Sequence, residues 1–304
     1  MQFNFRMMPV LALALITTFA ACKKNESAST DSSMEGKTHA EDQNQVSNQF
    51  NAVASEVNLA MEASPSYSGK PEGPVISICD ASVTFDSTSN PRTITITYDG
   101  SLICHPGWSR TGSIVVSMPQ NVQWKNAGAA ITVTYHNVKL TRVLDNKSIT
   151  ISGAQTFTNV SGGLLYNLPN LQNITHTVSS NGMSLKFDDN TERTWQVARK
   201  HVFTYNNGIV LSITGNNNNI AEWGTNRFGH TFTTSITQAL TIRQDCSFRL
   251  TAGEVKHEGF GTATATFGLN ASGNPTGCPG VGVYYMKLSW TGPLGNTYST
   301  ILPY

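Results

Sequence analysis

Apolar residues alternate with threonine and serine over most of this chain. Residues 93–98 read Thr-Ile-Thr-Ile-Thr-Tyr, and Asp99-Gly100 follows as a turn. Ile114, Val116 and Met118 share one face of a second strand, and Ile131, Val133 and Tyr135 one face of a third. Residues 148–153 repeat the scheme, and Met183, Leu185 and Phe187 run into the turn Asp188-Asp189-Asn190. A long strand over 195–205 ends at Asn206-Asn207-Gly208, and the strand at 210–214 ends in the polar loop 216–219. Further strands fall at 228–236, 240–243, 248–257, 262–267 and 281–290. The connections are short turns, whereas parallel crossovers need about a dozen residues each, so the pattern predicts an antiparallel meander. Apolar-in, threonine-out alternation gives one buried and one wet face. The fold predicted over 75–304 is therefore all-β, an antiparallel meander forming a β-sandwich or two stacked barrel-like sheets. A Gly/Asn/Pro loop region at 161–170 is a candidate division into two halves.

One stretch has a helical period instead. Val46, Phe50, Val53, Val57 and Met61 recur at alternating four- and three-residue steps, which predicts one N-terminal amphipathic α-helix over 42–64. Asp42 or Ser47 would cap its start, and Ser64-Pro65 would stop it. The apolar stripe needs a cover, either the domain's own surface or a second copy in a coiled coil. Before it, 22–41 is Ser, Lys, Glu and Asn and reads as a flexible tether. After it, 65–74 reads as a Pro/Gly hinge.

The first residues have a different logic. Arg6 precedes an apolar run over 7–18, then Phe19-Ala20-Ala21-Cys22 and Lys23-Lys24. That is the layout of a secretory signal peptide over 1–21. The run falls short of the roughly twenty apolar residues a spanning helix needs. Cys22 after two alanines resembles the lipobox of bacterial lipoproteins, with Phe19 where that family usually has Leu. The resemblance implies cleavage before Cys22, acylation of its thiol and a further acyl chain on its new amino group. The expected location is the cell envelope, at the outer membrane, with the membrane as a partner through the N-terminal lipid.

Composition narrows the rest. Charged residues make up 13% of 304 and the formal net charge is +1, so no basic stripe marks a nucleic-acid partner or a polybasic membrane face. Setting Cys22 aside leaves Cys79, Cys104, Cys246 and Cys278, an even set that reads as two disulfides with three possible connectivities. Cys79–Cys104 and Cys246–Cys278 are preferred because each pair brackets a strand-turn-strand unit. No C-x-x-C spacing supports a metal site.

The catalytic vocabulary is thin. Seven histidines, at 39, 105, 136, 176, 201, 230 and 257, form no H-x-x-x-H or H-E-x-x-H pair. His105 follows Cys104, whose thiol the disulfide reading removes. The other histidines sit among threonines and read as surface residues. Glu254, Lys256 and Glu258 fall on one strand face as an ion stripe. Glu192 and Glu222 stand near Trp195 and Trp223, an arrangement that sugar sites use. Of the tryptophans, Trp195 and Trp290 read as core, while Trp124 and Trp223, in Asn/Gly-rich surroundings, are the candidates for stacking on a glycan. There is no G-x-S-x-G, P-loop or dinucleotide fingerprint, and no catalytic residue, metal or cofactor is assigned.

The lipobox, polar tether, single helix and Thr-rich strands, with TITITYDGSLIC, SRTGSIVV, GAAITVTYHNV, TERTWQVARKHVFTYNNG and SITQALTIRQDCSFRLTAGEVK, are similar to the uncharacterised β-rich lipoproteins of Bacteroidetes. The resemblance implies a location and a fold and carries over no activity. Three function classes follow: a non-catalytic binding or structural role with a protein partner, a carbohydrate-binding module, and a hydrolase. An assembly subunit would be recognised by an exposed, uncharged edge strand.

Overall fold

The computed structural model describes residues 26–69, 77–102, 107–180, 182–259, 261–278, 282–292 and 295–304. The predicted signal peptide, Cys22, Cys104 and His105 lie outside the described residues. The chain opens with helix α1 (Glu26–Ala63) and a single turn α2 (Pro65–Ser68). Fifteen strands follow: β1 (Ala81–Asp86), β2 (Arg92–Asp99), β3 (Trp108–Met118), β4 (Ala129–Arg142), β5 (Ser148–Asn159), β6 (Ile174–Ser180), β7 (Met183–Phe187), β8 (Glu192–Tyr205), β9 (Ile209–Gly215), β10 (Ile220–Thr225), β11 (Thr231–Arg243), β12 (Arg249–Glu258), β13 (Thr262–Leu269), β14 (Tyr285–Thr291) and β15 (Thr297–Pro303).

All fifteen strands belong to one antiparallel sheet, with β1 and β15 at its two ends. The long strands β5, β8 and β11 carry short ones in tandem between them. β6 and β7 share the gap between β5 and β8, and β9 and β10 the gap between β8 and β11. The sheet continues unbroken across 161–170, where β5 and β6 are hydrogen-bonded neighbours.

The all-β antiparallel fold with one long N-terminal helix is what alternation predicts. The cover over the apolar face differs from a sandwich: α1 supplies it, in place of a second sheet. Alternation requires only that something apolar lie on the buried face, and it does not say what. Val46, Phe50, Val53, Val57, Ala60 and Met61 pack in one core with Ile94 and Ile96 (β2), Ile114 and Val116 (β3), Ile131 and Val133 (β4), Leu185 (β7), Trp195 (β8) and Phe232 (β11). His39 touches β12 and Glu56 touches β2, about 25 Å apart at about 1.5 Å of rise per residue. The eight strand-to-strand steps between β2 and β12 would span about 38 Å if flat. The sheet therefore bends around the helix.

The helix begins sixteen residues before Asp42, so 26–41, expected as a tether, is helical. Its described side chains dock through polar contacts. Glu35 accepts from Asn226 Nδ2 and lies 2.7 Å from His230 Nδ1, His39 is buried against Phe232 and His257, and the Asp42 carboxylate takes the Arg227 guanidinium. Apolar periodicity is blind to docking of that kind. The start of the expected hinge is also packed, with Tyr67 and Ser68 buried. The Trp124 amide donates to Tyr67 O at 2.8 Å, and Arg92 lies over the Tyr67 ring. Gly69 closes this turn at φ +76, and a Cβ there would strike Gln123 and Lys125.

Candidate functional site

β8 crosses under the middle of α1, and its period of two turns Arg193, Trp195, Val197, Arg199, His201 and Phe203 to the helix side. β10 pairs with it so that Glu222 lies opposite Val197. Glu222 is 2% exposed, and its carboxylate accepts from Trp195 Nε1 at 3.0 Å, from Arg199 Nη2 and from Gln43 Nε2 of the helix. Asn51 Oδ1 accepts from Arg199 Nη1 at 3.3 Å, and Gln43 Oε1 accepts from Arg193 Nη2. Arg193 also stacks over Phe232, 4.5 Å from the ring centre. Burial lowers both guanidinium groups to about 10.

A second lock holds the other half of the helix. Arg110 of β3 reaches Asp80 at 2.5 and 2.6 Å and Glu56 at 2.7 Å, while Tyr98 OH donates to Glu56 at 2.6 Å. Glu62 then accepts the backbone N–H groups of Leu165 and Tyr166, at the start of the 3₁₀ turn Leu165–Asn170. These polar groups fasten helix to sheet. Glu222, with Gln43, Ser47, Trp195 and Arg199 all donating to its two oxygens, is engaged as an ion-pair partner and is not placed as an acid open to a sugar.

The histidines depart from the surface reading. His39, His176 and His201 are buried, and His257 is half-buried against His39. Burial holds His176 at about 4. For His201 burial and then Arg199 bring it to about 3; for His39 burial and then Arg193 bring it to about 2. His257 is lowered to about 4, by burial first. A His between two threonines has the same pattern whether the imidazole or the hydroxyls face inward, and β6 turns His176 to the core. His136 and His230 do lie at the surface.

Of the two glycan candidates, Trp124 is 1% exposed and packs on His176 with ring centres 5.0 Å apart, so its face is closed to a sugar. Its Asn/Gly-rich surroundings are a tight buried turn, where Asn159 Nδ2 donates to Trp124 O and to Gly163 O. Trp223 stands on β10, half-buried, beside Thr233 and Gln196, in a strand and not in a loop. The structure does not bring the two together. Trp195 is buried and stacked on Phe50 at 4.1 Å, as core. Trp290, also expected in the core, is half-buried and stacks on the exposed Tyr298.

Cys246 and Cys278 are disulfide-bonded, with Cα atoms 5.3 Å apart. Asp245 beside them is held by Arg243 at 2.5 and 2.9 Å. Cys79 is also disulfide-bonded. Its expected partner, Cys104, lies outside the described residues.

Two surface features remain. A groove of about 720 Å³ separates Ala63–Ser66 from Ile78 and β1, lined by Ile78, Val83 and Phe85 among serines. The other feature is β15, every residue of which is exposed. Tyr304 N donates to Tyr284 O and Gly292 N to Asn296 O, so by antiparallel alternation residues 296, 298, 300, 302 and 304 pair with β14. The N–H and C=O groups of Thr297, Ser299 and Ile301 then point away from the sheet. Pro303 ends this row with a carbonyl and no N–H. The strand is pinned at both ends. Tyr304 OH donates to Leu250 O at 2.6 Å and accepts from Gly268 N at 3.0 Å, and the hydroxyls of Thr291 and Thr297 lie 2.9 Å apart. No charged residue occurs from 297 to 304.

No family model, no curated protein and no solved structure matches this chain.

Proposed function

We propose that the chain is a lipid-anchored cell-envelope protein with a non-catalytic binding or structural role, exerted through the free edge of its sheet. The observation that carries this is β15: exposed at every residue, uncharged, and tied down by Tyr304 and the hairpin to β14. Natural sheets blunt such edges with charges, bulges or a covering loop, because unpaired N–H and C=O groups are a template for another strand. Among the described residues the only such device is Pro303, at the far end. The lipid anchor rests on the Cys22 sequence context, and the outer membrane remains the proposed address.

Hydrogen exchange tests the role. The peptide 296–304 should exchange its outward amides quickly in dilute purified protein and slowly in cell envelopes, where the edge is occupied. Equal rates in the two settings count against an edge-mediated role. Intact mass of the exported chain tests the anchor separately, with a lipid-modified N-terminus at Cys22 as the expected result.

A further inference from the structure

We infer that the partner of β15 is β15 of a second copy, paired antiparallel across a two-fold axis through Ser299. This rests on the edge-mediated role above and names its partner. Three outward-facing residues are available, Thr297, Ser299 and Ile301, and they are symmetric about Ser299. In the pair, Ser299 faces its own counterpart and Thr297 faces Ile301, each opposing pair exchanging two main-chain hydrogen bonds. Pro303 and the Gly292–Asn296 turn bound the row on its two sides, so a shifted register loses bonds at one end or meets the missing N–H.

Side-chain chemistry fits a self-pair. An isologous contact sets each residue near its own kind, so any charge on the axis would repel its copy. The strand carries none. On one face Tyr298, already stacked on Trp290 with ring centres 6.0 Å apart, falls opposite Thr300 of the other copy, where directly opposed side chains are closest. On the other face Ser299 lies beside Ser289, 3.3 Å away through the hydroxyls, and a second Ser299 extends the row. Because the strand is pinned by Tyr304, pairing does not have to order it first.

Ser299→Cys in the full chain, exported and then mildly oxidised, should form a covalent dimer, since facing Cα atoms in such a pair fall within disulfide reach. Ser272→Cys, exposed on the loop after β13, should form several-fold less. In sedimentation the unmodified chain, monomeric when dilute, should become a dimer as its concentration rises, and Ser299→Lys should stay a monomer. An unmodified chain that stays monomeric at every concentration overturns the inference, as does cross-linking no greater than the loop control. Open-ended polymers overturn it too, because they require β15 to meet β1. If Ser299→Lys does not fold, the cysteine experiment decides alone. If 296–304 is protected in envelopes while Ser299→Cys gives no dimer, another strand holds the edge: the self-pair falls and the binding role stands.

Discussion

Trp195 Nε1 donates to Glu222 at 3.0 Å across the seam between β8 and β10, and the same carboxylate takes Arg199 and the helix side chain Gln43. A tryptophan and a glutamate that look like a sugar site are one half of a fastening. Removing Glu222 leaves Arg199 buried without its counter-charge. Glu222→Ala should therefore cost about 3–5 kcal/mol in urea unfolding, whereas Arg199→Met with Glu222→Leu should cost less than the two single changes summed. A single-variant cost under about 1 kcal/mol would show that the pair does not hold the helix.

Acid should loosen the fold well before its carboxylates titrate. His39, His176 and His201 are held at about 2, about 4 and about 3 in the folded chain, against 6.5 ordinarily. Below 6.5 the unfolded chain takes up protons that the folded chain does not, so stability is level above that value and falls as pH drops. Each histidine contributes a slope of about 1.4 kcal/mol per pH unit in that window. Urea midpoints at about pH 7.5 and about pH 5.5 should differ in that direction, and His201→Phe should shrink the difference. Equal midpoints would mean that these imidazoles are not buried neutral.

The two halves of α1 should open separately. Residues 46–61 are seated by apolar burial and by the buried Arg110–Glu56 pair, while the earlier half has His39 against Phe232 and His257, Gln43 on Glu222, and the more exposed pairs of Glu35 with His230 and Asp42 with Arg227. Amides before Val46 should exchange faster, and added salt should speed them while leaving the later half unchanged. Phe50→Ala, which removes a ring between Tyr135 and Trp195, should cost about 3–5 kcal/mol.

Cys246 and Cys278 lie 32 residues apart in sequence and staple the β11–β12 turn to the segment before β14. Replacing both with Ser should cost about 3–4 kcal/mol through the freed unfolded chain. The loss should appear as a lower thermal midpoint, with the far-ultraviolet spectrum unchanged. An unaltered midpoint would place this corner outside the cooperative unit.

Strands were readable because their inward residues are aliphatic. Ile94, Ile96, Ile114, Val116, Met118, Ile131, Val133, Met183 and Leu185 are all buried where alternation puts them. The helix face from Val46 to Met61 was readable for the same reason. Sequence pattern fails where burial is polar. Glu35, His39 and Asp42 carry no apolar period, and Arg193, Arg199, His176 and His201 take inward positions that look like outward ones. Trp124 shows a third failure: Asn and Gly around it mark a loop equally well whether Asn159 ties that loop down or leaves it in water. β15 itself falls outside the expected strands, the last of which is 281–290, because Tyr298-Ser299-Thr300-Ile301 carries too little apolar alternation to mark an inward face; its place at the sheet's edge comes from pairing alone.

The seat of α1 also sets an order of events in folding. The helix is synthesised first, yet Gln43 waits for Glu222, 179 residues later, and Glu35 for His230, 195 residues later. The hairpins between can close as they emerge, because each joins neighbours in the chain. Until β8 arrives, Phe50 lacks the Trp195 ring stacked on it and has only the Tyr135 side of its seat, and the unfinished chain presents part of the helix's greasy stripe to whatever chaperone or folding catalyst stands nearest.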